Sequence, residues 1–427
     1  MTSEIVLMNR QAVAMAADSA VTITGGNYLK TYQSADKLFP LVDGQPVAVM
    51  IYHNAEIMST PWETVISLYR EQTRGRPLDS IDQYAEDFMA FLSGNMDLFP
   101  AKDQDTEFFK MVAVVYSIIL EEFDYQLAQY KQSQAGRMRD QVSAVFEYVV
   151  DAVHYDYQRN YDDTPRADLQ CFPKGMSEQI RRRYSGEIED LIDSLLHTLR
   201  QEHAAFSVTE GTREKLREIA VFAVVKDAFF EHFTGVVFAG FGRNEKFPSM
   251  RSYLVSSVVL GILKRRQDRS ATMTGDSGPV IQPFAQDRMI RTFLTGIDPY
   301  LRMFMFGETL KLTTDIVSNL IGQAPNLSDE QRERLFHDYS NTTMTQTLRE
   351  FFRSLDAYQH AVHTAPIFRA VQMLPKKELG ETAASLIKLN SFQQKVSAQV
   401  ETVGGPVDTA VITRNGGIEW RQEKAEL

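Results

Sequence analysis

Apolar residues change spacing four times along the chain. Residues 5–8 (IVLM) and 12–17 (AVAMAA) are apolar runs separated by Asn9, Arg10 and Gln11. Such runs predict a hairpin of two fully buried strands, with the turn centred near Arg10. "DKLFPL" and "QPVAVMIY", the second after Asp43-Gly44, carry strand texture on to residue 51. From about residue 55 to 233 the spacing becomes helical, beginning with "NAEIMSTPWETVISLYREQ", where Thr60 and Pro61 predict a cap and a first turn. Strands return at "GVVFAGFG" (235–242) and "SYLVSSVVLGIL" (252–263), and "RSATMTGDSGP" predicts a linker to "VIQPFAQ". Helices are expected from about 288 to 389, broken near "GQAPN" and "TAPI". "VGGPVDTAVITRNGGIEW" then predicts two short strands around an Asn415-Gly416-Gly417 turn.

The strand segments at the two ends are too small to bury their own faces. They are predicted to share a sheet system with residues 235–285. Helices grouped between strand runs, without strict alternation, argue for an α+β fold over a doubly wound parallel sheet. Residues 1–70 would begin the core, 71–233 would form a helical insertion, and 234–427 would complete the core with extra helices near 307–365.

Composition narrows the function classes. The 427 residues are 44% hydrophobic and 24% charged, as in ordinary globular proteins. No apolar stretch reaches the ~18 residues of a membrane span, and Glu4 within the opening apolar run argues against a secretory signal. A single cysteine, Cys171, fits a reducing, cytoplasmic setting. A net charge of −11 argues against nucleic acid as a partner, and "RRRY" and "KRRQDR" read as solvated surface.

The candidate chemistry lies at the start. A turn centred on Arg10 places Thr2 across from Asp18, where directly opposed side chains share a face. Thr2 follows Met1, and a small second residue permits removal of an initiator methionine. A threonine freed in this way carries its own base: the α-amine, with an ordinary pKa near 8, can take the hydroxyl proton. A nearby ammonium would lower that pKa, and an acid would hold the ammonium in place.

These residues carry a resemblance. "MTSEIVLMNRQAVAMAADSAVT" and "DKLF" resemble the start of a proteasome β subunit or bacterial proteasome-like peptidase, of the N-terminal nucleophile hydrolase superfamily. "PVAVMIYHNAEIM", "VVFAGFG" with "SYLVSSVVLG", and "VGGPVDTAVITRNGG" resemble later segments of that family in the same order. The resemblance implies a four-layer αββα sandwich and amide hydrolysis through an acyl-enzyme. It implies Thr2 as nucleophile, Lys37 tuning the amine, Asp18 positioning Lys37, and Thr22 holding an extended substrate. It also implies a peptide or amide substrate, assembly into a homo-oligomer and no cofactor or metal; the helical insertion could receive a protein partner.

The chain departs from the pattern in places. Bulky Ile51, Tyr52 and His53 stand where the family has glycine, and Val403 stands where it has serine. These departures motivate two alternatives: a small-molecule amidase with a narrow pocket, and an inactive assembly subunit. Ser277 in "GDSGP" lacks the surroundings of a serine nucleophile, and His360 and His363 lack partners for a metal.

Overall fold

The computed structural model describes residues 2–25, 28–32, 35–133, 141–160, 163–230, 232–325, 327–396 and 404–422. The fold is mixed α+β, and its strands pair antiparallel. In chain order the first strands are β1 (Ser3–Met8), β2 (Val13–Asp18), β3 (Val21–Gly25), β4 (Tyr28–Tyr32), β5 (Leu38–Pro40) and β6 (Val47–His53). Two short strands, β7 (Glu56–Ile57) and β8 (Thr60–Pro61), precede helices α1 (Trp62–Thr73) and α2 (Ile81–Gly94). Four longer helices follow: α3 (Ala101–Ser133), α4 (Val142–Gln158), α5 (Met176–Glu202) and α6 (Glu210–Val225). Then come β9 (Thr234–Gly240), β10 (Ser249–Val259), β11 (Ile262–Thr272) and β12 (Val280–Ala285). The chain continues through α7 (Arg288–Thr295), α8 (Pro299–Gln323), α9 (Asp329–Tyr339), α10 (Thr345–Gln359), α11 (Ala365–Met373) and α12 (Lys376–Lys395). It closes with β13 (Val407–Thr413) and β14 (Gly417–Gln422).

The chain divides into two compact units. The first comprises residues 1–52, 239–249 and 271–427; the second comprises 53–238 and 250–270.

In the first unit a five-stranded sheet runs β12-β1-β2-β13-β14, so strands from both ends of the chain lie side by side. Every residue of β1 and β2 is buried. Being flanked on both edges satisfies their backbone groups, and α12 covers one face, where Ile5, Leu7, Ala14 and Ala16 meet Leu379, Ala383 and Ile387. Fully apolar runs suit strands covered in this way. Gly380 lets α12 approach closely, since a Cβ there would lie 2.6 Å from Val411 Cγ2. β5 pairs with β6.

The opening hairpin differs from expectation by one residue. Glu4 pairs with Ala17 and Ile5 with Ala16, so Asp18 falls level with Ser3 and not with Thr2. The cause is the turn. Asn9 N–H donates to Ala12 O at 3.1 Å, and Asn9 Oδ1 accepts from the amides of Gln11 and Ala12. This Asx geometry centres the turn between Arg10 and Gln11.

The "TAPI" break is also absent. Residues 329–373 run as α9, α10 and α11 joined by π turns at Ser340–Met344 and His360–Thr364. Wide π turns are a common way for a helix to absorb an irregularity, and the second one immediately precedes Pro366, which has no N–H to donate. His363 packs on Gly296, whose added Cβ would meet the ring at 2.7 Å. Ser277 is spent on a local turn, where its Oγ accepts from Thr274 N–H at 2.7 Å.

In the second unit α3, α4, α5 and α6 pack around a core that includes Phe108, Phe123, Phe146, Ile192 and Leu216. Phe108 stacks on Tyr184 with centroids 4.0 Å apart. α1 starts one residue later than expected: Pro61 is its N-cap, and no side chain caps it. β10 is hydrogen-bonded between β9 and β11. "SYLVSSVVLGIL" is therefore not one strand. Leu260 (φ 51) and Gly261 (φ 78) make a tight turn, and β11 runs on through "KRRQDR" to Thr272. Within that basic segment Lys264 is buried and donates to Ala223 O at 2.7 Å and Ala228 O at 2.6 Å, the first in the last turn of α6 and the second beyond it. No helix among the described residues is long and apolar enough to cross a membrane.

Candidate functional site

Four buried polar side chains converge in the first unit: Thr2, Glu4, Asp18 and Lys37. Thr2 lies just before β1 and is only 3% exposed. Its carbonyl accepts from Gln286 N–H at 3.0 Å, just past β12, which fixes the entry of the chain into the sheet. Next to it, Asn390 of α12 donates to Ser3 Oγ at 2.8 Å. Thr2 and Glu4 are two residues apart on an extended chain, so they share a face.

Asp18 ends β2 and reaches the cluster from the end of the strand. Its Oδ1 accepts from Ser3 N–H at 3.1 Å, and its Oδ2 accepts from Gly404 N–H at 3.0 Å. Lys37 immediately precedes β5, and its carbonyl accepts from Ile51 N–H at 2.9 Å, which anchors it beside β6. The Lys37 ammonium donates to Asp18 Oδ1 at 2.5 Å and stands 3.3 Å from Glu4 Oε1, an ion pair without directed hydrogen-bond geometry. Thr2 Oγ1 completes the series, donating to Glu4 Oε2 at 3.2 Å. The order of contacts is thus Thr2 hydroxyl, Glu4, Lys37, Asp18.

Burial pushes the Glu4 carboxyl up to about 7, against the pull of the Lys37 ammonium, and the Asp18 carboxylate adds to the rise. The cause is general: removing a carboxylate from water disfavours its charged form. An acid that titrates near neutrality, in contact with a hydroxyl, can accept that hydroxyl's proton during attack on a carbonyl.

Among the residues named from sequence, Thr2, Asp18 and Lys37 come together in this cluster. Thr22 lies in β3, paired with Thr31 in a two-stranded ribbon with β4, and its side chain lies outside the described residues, as does Val403. Ile51 and Tyr52 lie near the end of β6 as buried residues, and the Tyr52 ring tilts against Phe284 at 5.4 Å. Glu4 is the member that sequence reading missed. The signal was present: one acid inside an apolar strand, spaced two residues from Thr2.

Cys171 is half-buried, which pushes its thiol up and away from nucleophile chemistry. Among the described residues no group of three or more histidine, cysteine, aspartate or glutamate side chains could hold a metal ion. Scanned against models of known protein families the chain matches none, and no curated protein matches it.

Proposed function

We propose that the chain is a proteasome-like N-terminal threonine hydrolase that cleaves amide bonds through an acyl-enzyme on Thr2, within a four-layer αββα core. The observation that carries this reading is the buried cluster in which Thr2, through Glu4, is joined to Lys37 and Asp18 from three separate strand ends. Burying an ammonium and two carboxylates is costly, and a cluster with no task could be replaced by apolar residues at little loss. Its position against a lone hydroxyl at the head of a strand suits nucleophile activation.

Two observations favour a small amide over a folded protein as substrate. Thr2 is 3% exposed, and Tyr52 with Phe284 places bulk at the end of β6. The reading carries a cytoplasmic location and self-association with it. The second is supported by α8, where Tyr300, Leu301, Met303, Phe304, Leu312 and Leu320 are each half or more exposed; a second copy of the chain is the occupant assigned. Sedimentation velocity tests this, and a monomer at all concentrations would overturn it.

The decisive test is an electrophilic β-lactone probe. It should label the protein on Thr2, and Thr2→Ala should abolish labelling while circular dichroism stays unchanged. Labelling that persists in Thr2→Ala would sink the proposal, and a parent protein that never labels would favour the inactive assembly subunit.

A further inference from the structure

We infer that Glu4 is a catalytic residue, the general base that takes the Thr2 hydroxyl proton, so that nucleophile activation does not depend on the α-amine. The inference rests on the proposed hydrolase reading and changes its chemistry. Glu4 Oε2 is the acceptor of the Thr2 Oγ1 hydrogen bond, at 3.2 Å. That is longer than a tight bond from a hydroxyl to a carboxylate, and substrate binding would draw the two groups together.

The other Glu4 oxygen is held by Lys37, at 3.3 Å. Lys37 in turn is fixed by Asp18, and Asp18 by the amides of Ser3 and Gly404. The carboxylate is thereby oriented from behind while one oxygen remains on the hydroxyl. Lys37 and Asp18 are positioning residues in this scheme.

Among the described residues the charged neighbours of Glu4 come from two elements. β2 supplies Asp18, the approach to β5 supplies Lys37, and β12, the other hydrogen-bonded neighbour of β1, contains no titratable residue among Val280–Ala285. Asp408 on β13 occupies the same row of the sheet, two strands from Glu4 across Ala17. Among the described residues the Asp18 carboxylate thus offsets part of the pull of the Lys37 ammonium on Glu4, which favours proton uptake.

The steps balance without any co-reactant but water. Thr2 Oγ1 bonds to the substrate carbonyl carbon as its proton passes to Glu4 Oε2. The carbon–nitrogen bond then breaks, and the same proton goes to the departing nitrogen, leaving an ester on Thr2 and a free amine. Water next attacks the ester carbon, giving its proton to Glu4. Glu4 returns that proton to Thr2 Oγ1 as the acid leaves.

The test is the rate of β-lactone labelling against pH for the parent, Glu4→Gln and Glu4→Asp. The parent rate should rise with pH, because the deprotonated carboxylate is the active form, and level off above about 7. Glu4→Gln should label at least ~100-fold more slowly and lose that inflection, and Glu4→Asp should recover part of the rate. If Glu4→Gln labels within a few-fold of the parent, the α-amine is the base; this inference falls and the hydrolase reading stands. If the parent never labels, both fall. Should Glu4→Gln fail to fold, the parent's inflection measured at two temperatures decides. A carboxylic acid ionises with little enthalpy, so its inflection stays in place, whereas a marked downward drift on warming identifies the amine and overturns the proposal.

Discussion

Two ion-pair networks in this protein use the same chemistry and reach opposite results. On α5 and α6, Arg217 bonds Glu189, Glu210 and Glu214, and Arg213 bonds Glu189 and Asp193 at 2.7 and 2.8 Å. These side chains are 19–74% exposed. In the first unit Glu4, Lys37 and Asp18 are 0–5% exposed. Each network sets carboxylates against cations. Yet Glu189 is held below the usual carboxylate range, chiefly by its hydrogen bond to Arg217, while Glu4 is raised. Burial decides the sign, because in the interior desolvation outweighs a single cation. The exposed network joins two helices; the buried one costs stability, and a cost borne beside a reactive hydroxyl points to chemistry.

The largest effect that could break this contrast is on Lys37. Lys37→Met removes the ammonium and leaves the Glu4 and Asp18 carboxylates buried without it. The expected loss is about 3–5 kcal/mol at neutral pH, read from urea unfolding. A loss under ~1 kcal/mol would mean that water reaches the cluster, and the contrast with α5 and α6 would disappear.

Glu4→Gln sharpens the contrast by its pH dependence. The unfolded carboxyl titrates near 4.5 and the native one near 7. Between those values the native state keeps a proton that the unfolded chain has lost, so stability falls as pH rises through the window. The fall is at most about 3.5 kcal/mol, taking ~1.4 kcal/mol per pKa unit. Glu4→Gln lacks this titration and should give a flatter curve between pH 4.5 and 7. Parallel curves for the two proteins would place the Glu4 carboxyl in solvent.

The sequence made part of this cluster legible and hid the rest for identifiable reasons. Thr2, Asp18 and Lys37 stood out because a hydroxyl, an acid and a base occur at recognisable spacings beside apolar strands. In the sequence Glu4 reads as a charge that argues against a signal segment, yet the period-two rule of a strand, applied from Thr2, places it on the same face. The register slipped because Asn9 forms an Asx turn, a side-chain contact that hydropathy does not record. β11 was hidden since Leu260-Gly261 looks like strand continuation and "KRRQDR" looks like surface, although Lys264 is buried there against the carbonyls of Ala223 and Ala228. Pro366 ordinarily stops a helix, so the sequence predicts a break where the run from 329 to 373 continues, and a π turn is not visible in composition.

The smallest predicted effect is on the exposed network, and it tests whether exposure governs the contrast. Arg217→Met keeps much of the apolar stem and removes the guanidinium from Glu189, Glu210 and Glu214. Each of those acids can be rehydrated once the cation is gone, so no buried charge is stranded. The expected loss is ~1 kcal/mol or less, typical of surface pairs. Raising the salt toward ~1 M, where the screening length falls to about 3 Å, should remove most of the difference between variant and parent. The Lys37→Met loss should survive the same salt, because ions do not enter a cluster enclosed by β1, β2 and β5. If Arg217→Met costs several kcal/mol and salt leaves that cost unchanged, the helical network is as desolvated as the strand cluster. Burial alone would then no longer separate a structural network from a catalytic one, and the assignment of Glu4 would rest on its bond to the Thr2 hydroxyl.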